Sequence, residues 1–380
     1  MNLRILFFWL CIVALLFTAG CTQPSSPAGS TTVSPSAPAA VPSATAISAT
    51  PDAAASSAPS GSATPATTPV ILNRGTVDPD FIVDISVPEK ISPGTTLLAD
   101  NHDPANPRIV EVNQLGGIVW EYPLPAELKS YNNPGWDVEL LPNGNILTVI
   151  PRWGVYEISR DKKIVWKYLD PKVSHDVERL ANGNTLVTFG AADTKNDAQV
   201  KEVDPKGNTV WSWHAGDFFD RAPYASISDE GWTHTNAATR LANGNTLISL
   251  RNFNIIVEVD PKGNPVRTIG EKLLTSQHDP EIQPNGNILL ANQGIPMEAL
   301  ELDTNGAVVW RYPIKERYSW PVRDVDRLPN GDTLITAGDR IIEVTPDKQV
   351  VWQFRLTIPH FTDQMSATSR GFYKAQRIYG

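Results

Sequence analysis

Residues 174–186 read SHDVERLANGNTL, and the tail of that stretch, Asn182-Gly183-Asn184, is hairpin chemistry, because an Asn-Gly turn accepts positive φ at little cost. The stretch recurs as PGWDVELLPNGNIL at 134–147, THTNAATRLANGNTL at 233–247, QHDPEIQPNGNIL at 277–289 and VRDVDRLPNGDTL at 322–334, with a weaker first copy, KISPGTTLL, at 90–98. The turn glycines Gly94, Gly144, Gly183, Gly244, Gly286 and Gly331 are spaced by 50, 39, 61, 42 and 45 residues. Each is followed by a second hairpin of the type VKEVDPKGNTVW (200–211). In that hairpin a glutamate recurs at Glu111, Glu157, Glu202, Glu258, Glu301 and Glu343. A tryptophan ends it at Trp120, Trp166, Trp211, Trp310 and Trp352, with Arg267 in the remaining copy.

Two hairpins of alternating apolar residues make four short strands, and a repeat near 45 residues is that of one propeller blade. No apolar i, i+3, i+4 pattern competes with this reading. A single blade cannot bury both faces, so six copies must stack around a shared core. The expected fold is all-β, a six-bladed β-propeller over residues 70–380. The recurring Trp reads as packing between blades, and the recurring Glu as a polar strand or edge position.

Ahead of the repeats, MNLRILFFWLCIVALLFTAGC (1–21) has one early cation and a short apolar run ending in small residues, which reads as an export signal. Thr18-Ala19-Gly20-Cys21 is similar to a lipoprotein cleavage box, with Cys21 the residue to be lipidated. Residues 22–69 are almost all Ser, Thr, Pro and Ala with Asp52 as their one charge, a composition that reads as a disordered stalk. The expected location is the extracytoplasmic face of the cell membrane, held by a lipid anchor. Both cysteines, Cys11 and Cys21, fall in the signal segment, so the repeats have neither disulfide nor thiolate chemistry. A net charge of −9 argues against nucleic acid as a partner, and no Gly-rich loop opens a helix, so no nucleotide cofactor is expected. The oligomeric state is left open.

Repeats superpose by rotation, so equivalent positions form rings around the axis. Eight residues before each turn glycine stand Trp136, His175, Asn236, His278 and Arg323, with His234 two residues earlier in the longer fourth copy. The next position holds Asp137, Asp176, Ala237, Asp279 and Asp324, aspartates read as ties to neighbouring backbone amides. Seven or eight residues after the glycines come Asn101, His102, Arg152, Arg251 and Gln293. The chain has 6 histidines, and three of them gather at one ring position; His102, His214 and His360 have no such support. Three histidines can hold zinc, but the arginines beside them would repel a divalent cation, so no metal is expected there. An anionic substrate fits better, since Arg offers a rigid fork of donors and His can act as nucleophile or proton carrier.

GWTHTNAATRLANGNTLISLRN (231–252) and SQHDPEIQPNGNILLANQG (276–294) together resemble the arylsulfate sulfotransferase family, whose bacterial members are periplasmic six-bladed propellers with a transiently sulfated histidine. The closing SRGFYKAQRIYG (369–380) is similar to the family's end. This chain resembles a shorter branch, expected to lack the additional amino-terminal β domain and the cysteine pair of better-known members. The resemblance implies catalytic roles for His278 as nucleophile and for His234, Arg251 and His175. Asn236 belongs to the matched motif, and it joins Arg323 and Arg152 as expected substrate-binding residues. It also implies ping-pong sulfuryl transfer from an aryl sulfate to a phenol, without a cofactor. Two other readings stay open from the residues alone: a non-catalytic surface propeller that binds a ligand or protein partner, and a metal-dependent hydrolase.

Overall fold

The Asn-Gly turns form as the sequence requires, with φ between +82° and +91° at Gly144, Gly183, Gly244, Gly286 and Gly331. The computed structural model describes residues 74–129, 135–314, 321–357 and 370–379, all within one compact unit, Pro69–Gly380. The signal segment, Cys21, the stalk at 22–69 and His360 lie outside the described residues.

Among the described residues the chain forms six antiparallel sheets. An edge strand, β1 (Phe81–Ser86), precedes the first blade, which contains β2 (Thr95–Asp100), β3 (Arg108–Val112) and β4 (Ile118–Pro123). The second blade is β5 (Val138–Leu140), β6 (Ile146–Ile150), β7 (Gly154–Ile158) and β8 (Ile164–Leu169). The third is β9 (Val177–Arg179), β10 (Thr185–Thr188), β11 (Val200–Val203) and β12 (Thr209–Trp213). The fourth is β13 (Thr235–Arg240), β14 (Thr246–Leu250), β15 (Ile255–Val259) and β16 (Pro265–Ile269). The fifth is β17 (His278–Ile282), β18 (Ile288–Asn292), β19 (Glu298–Leu302) and β20 (Val308–Pro313). The sixth is β21 (Val322–Arg327), β22 (Thr333–Ala337), β23 (Arg340–Val344) and β24 (Val350–Leu356). The last strand, β25 (Phe372–Ile378), returns to the first blade and pairs with β2, with Ala375 opposite Leu98. Two four-residue helical turns, Ala126–Lys129 and Gly216–Phe219, are the described α-helices.

The weak first copy at 90–98 now has a cause. Its innermost strand is supplied by β25 from the far end of the chain, so no histidine-aspartate stretch precedes Gly94. The sixth blade gains a fifth strand in return, because β1 pairs with β24 from Phe81–Leu356 to Ser86–Trp352. The ring is thus closed by both ends of the repeat region.

Six apolar clusters fill the six junctions between blades. Neighbouring residues serve opposite junctions: Leu290 packs toward the fourth blade and Leu289 toward the sixth. The recurring polar residues link blades as well. Trp120, Trp166, Trp211, Trp310 and Trp352 each donate an indole N–H to a turn carbonyl of the next blade, at 2.9–3.3 Å. The glutamates pair with arginines, as in Arg240–Glu202 at 2.9 Å and Arg327–Glu301 at 2.8 Å, where the arginine comes from the adjacent blade and lies over the tryptophan. Arg267, in the place of a tryptophan, pairs with Glu258 at 2.6 Å and reaches the equivalent carbonyl of Thr304. Both sets are therefore structural, as their repetition implied.

Candidate active site

The innermost strands begin at one mouth of the central channel, and residues at or just before their starts bring His175, His234 and His278 together. His175 Nε2 lies 3.2 Å from His234 Nε2, with the two rings stacked at 5.2 Å. Tyr373, on β25, stacks on His175 at 5.5 Å and meets His278 edge-on at 6.0 Å. Arg323 lies over the Tyr373 ring at 5.4 Å and donates to the Phe372 carbonyl at 2.8 Å.

Each imidazole turns its Nδ1 to a backbone carbonyl: His175 to Gly135 at 3.2 Å, His234 to Glu230 at 3.2 Å and His278 to Ser276 at 2.9 Å. A carbonyl can only accept, so these contacts put the proton on Nδ1 and leave Nε2 its lone pair; at His278 the Gln293 side-chain amide also lies 3.3 Å from Nδ1, further than the Ser276 carbonyl. For the stacked pair this sets two lone pairs face to face at 3.2 Å, unless one proton is shared between them.

The loops that hold these rings are tightly specified. A Cβ on Gly135 would come within 1.8 Å of His175 Nδ1, so only glycine admits the ring. His234 has φ of +47°, a conformation costly for a residue with a side chain. The buried Asp193 carboxylate holds it there by accepting from the amides of Trp232, Thr233 and His234 at 2.9–3.2 Å and from the Thr233 hydroxyl at 2.7 Å. Asn252 accepts from Arg251 Nη1 at 2.9 Å and donates to the Asp229 carbonyl at 2.7 Å, which orients the guanidinium beside the same loop.

The electrostatics favour an anion. Burial pushes the His175 pKa down to about 4, and Arg251, Arg323 and Arg152 push the same way. Burial, with the neighbouring His175 and Arg251, holds His234 well below its ordinary value; burial and Arg251 do the same to His278. Burial also lowers Arg323 to about 10, which leaves it charged at neutral pH. Neutral imidazoles among guanidinium charges favour a negative ligand over a cation.

Residues 84–272 match the family described as Arylsulfotransferase (ASST). The chain belongs to the arylsulfotransferase family. At family level this supports sulfuryl transfer and small aryl substrates. The matched span contains Arg152, His175, His234, Asn236 and Arg251, whereas His278, Arg323 and Tyr373 lie beyond it. No curated protein matches the chain. Among solved structures, a protein of unknown function from Bacteroides caccae is similar at 21% identity with a TM-score of 0.52, over 71% of this chain and 96% of that one. A streptogramin B lyase aligns at 12% identity with a TM-score of 0.49, over 76% and 87% of the two chains. A virginiamycin B lyase from Staphylococcus aureus aligns at 11% and 0.46, over 73% and 89%. The Bacteroides likeness is one of fold.

Within this arylsulfotransferase-family propeller the expected residues divide. His175, His234, His278, Arg251 and Arg323 converge on the mouth, and Arg152 is exposed near His175 with φ of +64°. Asn236 is a buttress: its Nδ2 donates to the Gln277 carbonyl at 2.9 Å, which steadies the residue before His278, and its buried Oδ1 accepts no hydrogen bond from a described residue. Trp136, at the same ring position, is buried in the apolar junction between the first two blades. His102 sits instead with Asp100 at 2.6 Å; burial opposes its proton, but that carboxylate holds its pKa above the ordinary value. His214 lies outside the site, 3.5 Å from the Ser212 hydroxyl.

Tyr373, Asp193 and Lys374 went unnoticed in the sequence. The Tyr373 hydroxyl is buried with no described partner, and burial raises its pKa, so it remains a proton-bearing donor. The aspartates proved more than ties. Asp137, Asp176 and Asp324 do accept from the amides of Val177, Ala238 and Ala375 at 2.7–3.0 Å. Yet they also line a second chamber deeper in the channel, where Lys374 reaches Asp279 at 2.8 Å, Asp137 at 3.4 Å and Asp176 at 3.5 Å.

Proposed function

We propose that the mouth transfers a sulfuryl group from an aryl sulfate to a phenol by a ping-pong route through a sulfohistidine at His278. The observation that carries this reading is the common orientation of the imidazoles: Nδ1 is fixed on a backbone carbonyl and Nε2 is left with its lone pair beside Arg251 and Arg323. His278 is the best nucleophile, because Nε2 of each of the other two is occupied by its partner.

In the first half-reaction His278 Nε2 bonds to sulfur as the bond from sulfur to the aryl oxygen breaks, and the phenolate takes a proton. Sulfuryl transfer resembles phosphoryl transfer, with charge spread over peripheral oxygens, so positioned donors supply most of the rate. Arg251 and Arg323 suit those oxygens, and the Tyr373 hydroxyl suits a sulfuryl or leaving oxygen. The His175–His234 pair suits the proton. A bound anion offsets the arginine charges, so the pair takes up one proton from solvent and shares it between the two nitrogens. That proton passes to the departing phenolate, and a second phenol returns one as its oxygen takes the sulfuryl group from His278.

Incubation with 4-nitrophenyl sulfate alone should add about 80 Da to the protein, the mass of one sulfuryl group in a covalent intermediate, on the peptide containing His278. Adding phenol should discharge it. An adduct elsewhere moves the nucleophile; neither adduct nor transfer with several aryl sulfates rules out this reading.

The export signal, the lipid at Cys21 and the extracytoplasmic location belong to the same proposal. Their support is the sequence of residues 1–69. Treatment with globomycin should cause the unprocessed precursor to accumulate if Cys21 is lipidated.

A further inference from the structure

We propose that Asn101 sets the choice of acceptor by binding a second hydroxyl on the phenolic ring, so that the mouth favours dihydroxybenzenes over phenol. The inference rests on the reading of the mouth as a sulfuryl-transfer site. Asn101 stands in the second ring of the mouth, seven residues after Gly94, and is 1% exposed. Neither its Oδ1 nor its Nδ2 has a hydrogen-bond partner among the described residues, whichever way the amide is turned. An unpaired buried amide is costly, so one built into the fold points to a partner from outside the chain.

The fifth blade shows where this side chain stands. Gln293 likewise comes seven residues after a turn glycine, Gly286. Both residues donate their backbone N–H to the loop entering an innermost strand, Asn101 to Gly371 at 3.3 Å and Gln293 to Thr275 at 2.9 Å. From there the Gln293 amide donates to the Val322 carbonyl of the sixth blade at 2.9 Å and lies 3.3 Å from His278 Nδ1. Tyr373 holds the histidine's ring place in the first blade: Ala375, two residues on, donates to Asp324 as Val177, two residues after His175, donates to Asp137. Rotation therefore sets Asn101 between Tyr373 and the entry of the second blade. The carbonyl equivalent to that of Val322 belongs to Gly135, which already accepts from His175 at 3.2 Å, and asparagine is one methylene shorter than glutamine. The Asn101 amide and the neighbouring Tyr373 hydroxyl are both left unpaired among the described residues.

The chain holds the amide in that place. Asp100, just before it, is gripped by Arg108 at 2.8 Å and by His102 at 2.6 Å, so the loop is not free to turn toward another donor. What fills the gap must give a hydrogen bond as well as take one, because Oδ1 only accepts and Nδ2 only donates. Sulfuryl oxygens carry no hydrogen and cannot serve Oδ1, whereas a neutral hydroxyl can serve both atoms. The reacting oxygen is engaged at His278 and the His175–His234 pair, so the hydroxyl at Asn101 is a second one on the same aromatic ring.

With 4-nitrophenyl sulfate as donor, the full chain is given phenol, catechol, resorcinol or hydroquinone as acceptor. At least one dihydroxybenzene should exceed phenol by about 10-fold in kcat/KM per hydroxyl, because a site built to hydrogen-bond a hydroxyl discriminates against the ring that lacks it. Asn101→Leu keeps the shape of the amide and Asn101→Ala removes its bulk; in whichever of them folds, that ratio should fall to near one. Equal use of phenol and all three isomers, or a ratio that survives in both variants, overturns the inference: the amide then holds an ordered water only, and the sulfuryl adduct at His278 still stands. Neither adduct nor transfer in the wild-type chain overturns this inference together with the reading beneath it.

Discussion

The mouth and the deeper chamber are built from adjacent residues of the same strands yet carry opposite charge. His175 and Asp176, His278 and Asp279, Arg323 and Asp324 each divide this way, the first to the mouth and the second to the chamber. Tyr373 and Lys374 repeat the division, but there the chamber residue is the cation. Burial acts on both regions by the same rule, with opposite visible results. It strips protons from the histidines and drives them onto the carboxylates, because in each case it disfavours the charged form. What remains at the mouth is guanidinium charge, and what remains in the chamber is one ammonium among carboxyl groups, several of which burial holds protonated. The comparison teaches that one strand step separates a guanidinium-rich mouth from a carboxyl-rich chamber.

Removing the mouth's nucleophile should give the largest effect. His278→Asn should fold with an unchanged circular dichroism spectrum and lose at least about 10³-fold in sulfuryl transfer. Substantial transfer by that variant would dissolve the distinction between His278 and its two neighbours. Next comes Arg251→Lys, which keeps the charge but loses the fork; turnover should fall on the order of 10²-fold. Wild-type turnover would place Arg251 outside the anion site.

Tyr373→Phe should lower turnover by about 10-fold, while Tm stays level or rises, because a buried hydroxyl without a partner among the described residues is removed. A large fall in Tm would instead show that the hydroxyl supports the fold.

The smallest effect is the sharpest for the comparison, since the two regions should respond to pH with opposite sign. His175 has a folded pKa of about 4 against an ordinary 6.5, so its neutral form stabilises the fold above 6.5, and that contribution is lost as pH falls toward 4. Burial, reinforced by Asp137, pushes Glu139 up to about 7 from an ordinary 4.5, so its contribution is full below 4.5 and lost as pH rises through 7. In urea unfolding, Glu139→Gln should therefore gain on wild type between pH 5 and pH 8, by on the order of 1–3 kcal/mol. His175→Asn should gain on wild type when the pH is taken from 7 to 4. Parallel curves for wild type and either variant would remove the corresponding half of the comparison.

Much of this was legible in the sequence. Repeated Asn-Gly turns, spaced near one blade and each followed by a Glu-to-Trp hairpin, specify propeller blades whatever surrounds them. The ring positions found the three histidines because rotation places equivalent residues around one axis. Ring position alone does not say where a side chain turns: Trp136 shares the position of His175 but packs into an apolar junction. Ring position was silent on Tyr373, since β25 lies outside the repeated stretch and joins the first blade only when the ring closes. Asp193 was hidden for a similar reason: it comes from a loop of the third blade and acts on a loop of the fourth.

The sequence by itself determined the blades, their number and the residue types at the mouth, because turn chemistry and strand alternation are local. Only the tertiary structure decided that Tyr373 and Lys374 complete the two ends of the channel, that Nε2 of His175 faces Nε2 of His234, and that the aspartates share a chamber. Those relations join strands far apart in the chain. They depend on the stagger between neighbouring blades and on which end closes the ring, and side-chain packing at the six junctions sets both.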